Sequence, residues 1–117
     1  MLNIGDTILI ETPPNGEHLF IVITKICYTT YVLCVNVTSK RDNSDLSCVI
    51  KPYEHSFIKK ESVINYKDAI FPRVEELEKM LNSGKAKKLE PVSKELINRI
   101  ITGGKKTRYL LNKYVNL

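Results

Sequence analysis

The chain contains two histidines, His18 and His55, whose side chains can do acid/base chemistry. An imidazole gains and loses a proton near neutral pH. A pair of imidazoles can cleave RNA without a metal, because one removes the proton of the ribose 2′-hydroxyl while the other protonates the departing 5′-oxygen. His18 and His55 are therefore the predicted acid/base pair. In the alternative interpretation, His18 ends a strand, His55 lies in a loop, and neither has a chemical role.

Lysines and hydroxyl groups accompany these histidines in the sequence. The stretch HSFIKKESVINY brings His55 close to Lys59, Lys60 and Ser62, and Thr38 stands at the end of an apolar, β-branched stretch. The phosphorus oxygens that gain charge during RNA cleavage need cationic or hydrogen-bonding donors. We predict that the two lysines bind phosphate and that the hydroxyls of Thr38 and Ser62 belong to the catalytic group. No cofactor is expected.

Positive charge is concentrated in the last third of the chain. Residues 85–117 hold nine Lys/Arg against two Asp/Glu, a net of +7, whereas the whole chain carries +5. A concentrated positive region attracts polyphosphates, because each neutralised phosphate releases condensed counterions. Lys105, Lys106 and Arg108 are therefore predicted to bind RNA phosphates. A solvated helical surface explains the same charge without any partner.

Composition is typical of a soluble globular protein. The 117 residues fit one domain, with 43% hydrophobic and 26% charged residues. No apolar run is long enough to cross a membrane. The N-terminus lacks the features of a signal peptide, so we expect a cytoplasmic protein without a membrane partner. The three cysteines form no CxxC pair, which predicts reduced, buried thiols and no metal site.

The first part of the chain predicts five short strands. DTILIE alternates polar and apolar residues, and TPPNGE after it is typical of a hairpin loop. HLFIVITK (18–25) and TYVLCVNVT (30–38) are almost continuously apolar, as in a barrel or in a sheet covered on both faces. LSCVIK (46–51) and SVINYKDAIF (62–71) complete the set. Strands of this length with short turns favour a small SH3-like β-barrel.

The remainder of the chain has helical periodicity. RVEELEKMLNSG follows Pro72 with apolar residues at helical spacing and stops at Gly84. KAKKLE is interpreted as a basic connector, PVSKELINRIITGG as a second helix, and KKTRYLLNKYVNL as a third. The predicted fold is α+β. It is a single domain over residues 1–117, with the barrel in residues 1–70 and a basic helical extension in residues 71–117.

The glycine pair Gly103-Gly104 is predicted to end the second helix. A glycine turn between two short helices also fits a helix-turn-helix motif. In that interpretation Lys105, Lys106 and Arg108 would open a DNA-recognition helix.

The order of these pieces resembles the PemK/MazF-like growth-inhibitor family, small barrels that act as toxins of toxin–antitoxin pairs. The resemblance covers residues 4–70, with GDTILIE, TPPNG, HLFIVIT, NVTS and SVINY in that order. EHSFIKKESVINY is also similar to an uncharacterised phage- and bacterium-associated branch of PemK-like proteins. The resemblance implies a homodimer, metal-independent cleavage of single-stranded RNA, and an antitoxin protein that covers the same groove.

Two positions of the family's motif can be located in this chain. The threonine or serine that ends the third strand is Thr38, followed by Ser39. The arginine-proline pair that opens the second strand is replaced by His18 and Leu19. An imidazole can transfer a proton, but it does not supply a permanently charged, two-pronged phosphate grip.

Two functional hypotheses therefore come first. The chain is a PemK-like endoribonuclease or RNA-binding protein, which predicts that His18 and His55 flank one groove. Alternatively, it is a catalytically silent SH3-like module that binds a protein or peptide along that groove. DNA binding through the C-terminal helix-turn-helix is the third hypothesis. Four tyrosines offer stacking faces for unpaired bases: Tyr28, Tyr31, Tyr53 and Tyr66.

Overall fold

The structure, a computed structural model, describes residues 2–12, 16–24 and 30–110. These ranges form an α+β fold of six strands and two helices. The elements are β1 (Thr7–Glu11), β2 (Glu17–Val22), β3 (Cys34–Ser39), β4 (Val49–Ile50), β5 (Ser62–Ile70), α1 (Val74–Ser83), β6 (Ala86–Leu89) and α2 (Lys94–Lys106). Neither helix is long and apolar enough to cross a membrane.

All six strands belong to one antiparallel sheet with the order β4-β5-β3-β2-β1-β6. Strands β4 and β6 form its two edges, so the α+β class is confirmed but the sheet does not close into a barrel. Closure needs strands that are long enough to pair all the way round. Here β4 has two residues, and the β2–β3 ladder has three residue pairs.

Helices cover the two faces of the sheet. On β2, Leu19 and Ile21 belong to the core cluster that includes Leu96 of α2. The alternate residues Phe20 and Val22 belong to a second cluster with Leu77 of α1. Successive side chains of a strand point to opposite faces. The nearly continuous apolar strands are therefore explained by a sheet covered on both sides, which was the alternative to a barrel.

Helix α1 confirms the predicted first helix. Gly84 follows its last residue with φ 81°, in the left-handed region, and its N–H donates to the carbonyl of Leu81. A residue with a side chain rarely adopts this backbone conformation, which is why the helix ends at a glycine.

Helix α2 is longer than predicted. The Ser93 hydroxyl accepts a hydrogen bond from the Leu96 N–H and caps the start, and the helix runs through Gly103 and Gly104 to Lys106. The prediction that the glycine pair ends this helix is wrong, so the turn required by a helix-turn-helix lies inside one continuous helix. The rest of the predicted third helix, residues 111–117, lies outside the described residues.

The KAKKL stretch, predicted as a connector, is strand β6. Ala86 is buried, and Lys87 and Lys88 are exposed at the edge of the sheet. It pairs with β1 from Ala86↔Ile10 to Leu89↔Thr7. Residues from the C-terminal part therefore complete the sheet, and that part is not helical throughout.

The predicted β1–β2 hairpin is confirmed. Pairing extends to Glu11↔Glu17, and Gly16 has φ 85°. The rest of the predicted turn, residues 13–15, lies outside the described residues. Cys34 and Cys48 are free and buried, as predicted, and Cys27 also lies outside the described residues.

Candidate functional site

A cavity opens where strands β2 and β3 part. Phe20 and Asn36 form the last residue pair of the β2–β3 ladder towards the start of β2. Beyond it, a cavity of about 460 Å³ lies between the strand ends and the loop before β5. We call it the first cavity; five of its lining residues were predicted from sequence, namely His18, Thr38, Lys59, Lys60 and Ser62.

His18 enters this cavity from the start of β2. By alternation it lies on the same face of the sheet as Phe20, opposite Ile10 of β1. Its Nδ1 is hydrogen-bonded to the Thr12 hydroxyl, which orients the ring. The other ring nitrogen, Nε2, has no hydrogen-bond partner among the described residues, and the side chain is half-buried. An imidazole held in this way can exchange a proton with a molecule in the cavity.

The hydroxyls of the first cavity come from paired strands. Ser39 lies opposite Ser62 and Thr38 opposite Val63, so Thr38 shares the face of His18 and Ser62 points to the other face. The Ser62 hydroxyl donates to the Lys60 carbonyl at 2.9 Å, and Ser62 is buried. Thr38 is half-buried. Of the two predicted hydroxyls, Thr38 is therefore better placed to contact a ligand.

Lys59 and Lys60 bring unpaired positive charge to the first cavity. Both side chains are exposed, and neither forms an ion pair with any residue in the described ranges. Lys40 and Lys51, which lie nearby, both bind the Glu61 carboxylate instead. Their ammonium groups are thereby neutralised locally. Lys59 and Lys60 remain available to an anion.

His55 does not line the first cavity. Its Nε2 donates to the Glu90 carbonyl at 2.7 Å, and its Nδ1 accepts from the Phe57 N–H at 3.1 Å. The side chain is 1% exposed, and the Glu90 carboxylate is 3.7 Å from Nε2. Both ring nitrogens are therefore occupied within the protein. Four of the predicted residues line the first cavity with polar groups that are available to a ligand, namely His18, Thr38, Lys59 and Lys60. The Ser62 hydroxyl is already bonded to the Lys60 carbonyl, and His55 lies outside the cavity lining.

The loop that carries the two lysines is held in place by α2. Arg99 donates to both oxygens of Glu54, at 2.7 and 3.0 Å, and to the Val49 carbonyl at 2.8 Å. These hydrogen bonds lower the pKa of Glu54. Tyr53, next to Glu54, has φ 71°, which is strained for a residue with a side chain. These contacts tie the loop to α2.

The four tyrosines predicted to stack on bases have different environments. Tyr66 is fully buried, and Tyr53 is 74% exposed with the Lys59 ammonium 5.8 Å from its ring centre. Tyr31 stacks on Phe71 with ring centres 5.4 Å apart. Tyr28 lies outside the described residues. Of the three that the structure describes, Tyr53 is the most exposed.

The basic residues near the C-terminus lie away from the first cavity. Lys105 and Lys106 are exposed in the last turn of α2. Lys106 lines a separate cavity of about 420 Å³ beside Arg99 and Cys48. The Arg108 guanidinium lies 5.0 Å from the ring centre of Tyr109.

The lining of the first cavity also includes Glu17 and Phe57, which were not predicted from the sequence. Glu17 opens β2 directly before His18, and Phe57, 38% exposed, lies in the loop that carries the lysines. A carboxylate adjacent to a candidate histidine was a usable signal for Glu17. The sequence contains no comparable signal for Phe57, because an aromatic residue in a loop is as often packed as exposed.

The fold and this site define a small α+β domain with a cavity at the strand ends that combines an imidazole, a carboxylate, a hydroxyl and two free lysines. No protein-family model matches the chain, and a search of the curated proteins finds no match. The PemK/MazF-like resemblance therefore rests on the order of the sequence pieces.

Proposed function

We propose that this protein is a metal-independent endoribonuclease of PemK/MazF-like type that acts on single-stranded RNA at the first cavity. The observation that carries the proposal is the convergence of His18, Thr38, Lys59 and Lys60 on one cavity. These residues come from two strands and a loop, and their side chains are of the types that RNA cleavage requires.

Glu17 and His18 are the acid/base pair of the proposed mechanism, because both line the first cavity and His55 is occupied elsewhere. The two are successive residues of β2 and point to opposite faces of the strand, so they act on opposite sides of the phosphate, as an in-line displacement requires. The Glu17 carboxylate accepts the proton of the ribose 2′-hydroxyl as the 2′-oxygen bonds to phosphorus. The bond from phosphorus to the 5′-oxygen breaks, and protonated His18 donates a proton to that oxygen. The products are a 2′,3′-cyclic phosphate and a free 5′-hydroxyl, and both residues exchange protons with water to return to their starting states.

Lys59 and Lys60 take the role that an arginine has in the resembled family. The phosphate gains negative charge as the 2′-oxygen attacks, and two free ammonium groups with the Thr38 hydroxyl stabilise that charge. They come from the loop before β5 and not from the start of β2, where His18 replaces the arginine. A cation supplied from another element explains how the site can work without the family's arginine.

The test is cleavage of a labelled single-stranded RNA in the presence of EDTA. His18→Asn keeps a hydrogen-bonding group near Thr12 and removes the titrating imidazole, so we expect the cleavage rate to fall by about 10²- to 10⁴-fold. Glu17→Gln should lower it in the same way. Lys87→Ala, on the edge strand β6, is the matched surface control and should cleave at the wild-type rate. Cleavage that requires Mg²⁺, or that survives His18→Asn, contradicts the proposal.

The resemblance also predicts a homodimer and an antitoxin protein that covers the groove. Induced expression in a bacterial host should arrest growth, and His18→Asn should relieve the arrest. A mass measurement in solution tests the dimer.

A catalytically silent interaction module is the second candidate. The observation that favours it is Tyr53, which is 74% exposed at a strained backbone position, because strain of this kind is frequent at ligand-binding sites. In that case the wild-type protein neither cuts RNA nor arrests growth, and the Tyr53→Ala variant no longer binds a protein partner that the wild type binds.

A further inference from the structure

A second cavity adjoins the first at the end of β3. It has a volume of about 200 Å³ and shares Thr38 and Ser39 with the first cavity. Arg41, Lys67 and Tyr109 also line it. Because both cavities meet at Thr38 and Ser39, one extended polymer chain can occupy the two together.

The second cavity contains two unpaired cations. Arg41 and Lys67 are exposed, and neither side chain forms an ion pair within the described part of the protein. The carboxylate of this cavity, Asp45, accepts hydrogen bonds from the hydroxyls of Ser47 and Thr107, both at 2.6 Å. Its oxygens are thus held by neutral donors and leave both cations free. An anion entering the cavity meets a net positive surface.

An aromatic ring lies beside these cations. Tyr109 is 41% exposed, and its backbone N–H donates to the Thr107 hydroxyl, which fixes the residue after the end of α2. Arg108 lies over one face of the ring, with its guanidinium 5.0 Å from the centre. Cations together with an exposed aromatic face are the combination that binds unpaired nucleotides, since the cations bind phosphate and the ring stacks on a base.

We propose that the second cavity is a subsite for single-stranded RNA, which holds a phosphate and a base beyond the bond that is cleaved at the first cavity. Arg41 and Lys67 bind the phosphate, and Tyr109 stacks on the base. This inference rests on the proposed function, because it takes the first cavity as the site of cleavage. It adds that the substrate is a strand longer than the two nucleotides around the cut.

The experiment measures binding of 2′-O-methyl oligonucleotides, which lack the attacking hydroxyl and are bound without being cut. A dinucleotide fills the first cavity, and a hexanucleotide also reaches the second. We expect wild-type protein to bind the hexanucleotide at least about tenfold more tightly than the dinucleotide. In the double variant Arg41→Ala/Lys67→Ala, and separately in Tyr109→Ala, that ratio should fall towards one.

The matched control is Lys85→Ala/Lys87→Ala, which removes the same charge from a surface outside both cavities and should keep the wild-type ratio. A wild-type ratio near one, or an equal loss for both lengths in the Arg41/Lys67 variant, overturns the subsite. Equally tight binding of poly-glutamate overturns it in favour of an acidic peptide.

Failure of the proposed cleavage is distinguishable from failure of the subsite. If His18→Asn has no effect on cleavage while the length dependence of binding holds, the chemistry is wrong and the second cavity still binds RNA. If cleavage depends on His18 and the length dependence is absent, the subsite is wrong and the chemistry stands.

Discussion

At the scale of single residues, the two histidines have different surroundings although they are chemically identical. His18 is half-buried in a cavity with one ring nitrogen bound to Thr12, whereas His55 is buried with both nitrogens bound. The partner of His55 Nε2 is the carbonyl of Glu90, 35 residues further along the chain. No local pattern indicates such a contact, so the sequence predicted the same role for both.

We expect His55→Ala to act on stability and not on chemistry. The substitution removes a buried side chain and leaves the Glu90 carbonyl and the Phe57 N–H without their partner, which should lower the free energy of unfolding by about 2–4 kcal/mol. Urea denaturation measures this change, and His18→Asn serves as the control at a less buried histidine. An unchanged unfolding midpoint together with lost RNA cleavage would restore His55 as a catalytic residue.

At the scale of elements, Gly103 shows why α2 continues where a helix end was predicted. A Cβ at this position would lie 2.5 Å from the Tyr66 hydroxyl and 2.7 Å from the Ser47 carbonyl oxygen. The Tyr66 hydroxyl donates at 2.6 Å to the carbonyl of Ile100, so the glycine lets α2 approach β5 closely. Glycine is present here for packing and not for a turn, a distinction that only the neighbouring strand reveals.

The effect of Gly103→Ala tests this packing because two influences oppose each other. Alanine has the higher helix propensity by about 1 kcal/mol. Overpacking against Tyr66 and the Ser47 backbone should outweigh it and leave the variant about 1–3 kcal/mol less stable. The control Thr102→Ala, at an exposed position of the same helix, should instead be about 0.3 kcal/mol more stable than wild type. Equal gains in thermal denaturation of the two variants would disprove the close approach.

The ion pair between Arg99 and Glu54 joins α2 to the loop that carries Lys59 and Lys60. Its contribution to the stability of the fold depends on pH. Hydrogen bonds from Arg99 lower the pKa of Glu54 below its ordinary 4.5. A lowered pKa in the folded state stabilises the fold above pH 4.5, and this stabilisation is lost as the pH falls through the lowered value.

The stability difference between wild type and Glu54→Gln should therefore be largest near neutral pH and shrink below pH 4.5. Urea midpoints measured from neutral to acidic pH test this. Glu78→Gln, an exposed site on α1 without an ion pair in the described structure, is the control and should follow wild type throughout. A difference that does not vary with pH would mean that the pair contributes no charge-dependent stability.

At the scale of the whole molecule, the sequence predicted strands better than their arrangement. β1, β2, β3 and β5 lie within or close to their predicted ranges, because period-two alternation and β-branched runs are local signals. β6 was missed because two of its four residues are exposed lysines and it exists through pairing with β1. The open sheet depends on the two-residue length of β4 and on the cover by both helices, neither of which is local information.

The same division applies to the candidate site. His18 and Thr38, both singled out at strand ends, line the first cavity, since strand ends are where polar groups meet solvent. Their role in RNA cleavage stays a prediction. The second cavity was not predicted, because it joins a loop after β3 to the segment that follows α2. That juxtaposition depends on how α2 packs across the sheet.

Salt dependence distinguishes a local RNA site from a general attraction by the net charge of +5. The proposed RNA site contains four free cations: Lys59 and Lys60 in the first cavity, and Arg41 and Lys67 in the second. If single-stranded RNA contacts all four, the logarithm of its association constant should fall with the logarithm of the salt concentration at a slope of about −3. Lys59→Ala/Lys60→Ala should reduce that slope by about 1.4. The control Lys85→Ala/Lys87→Ala removes the same charge from the whole molecule. An equal reduction of the slope in this variant would show that RNA responds to net charge. An unchanged slope in this variant places the contacts at the two cavities.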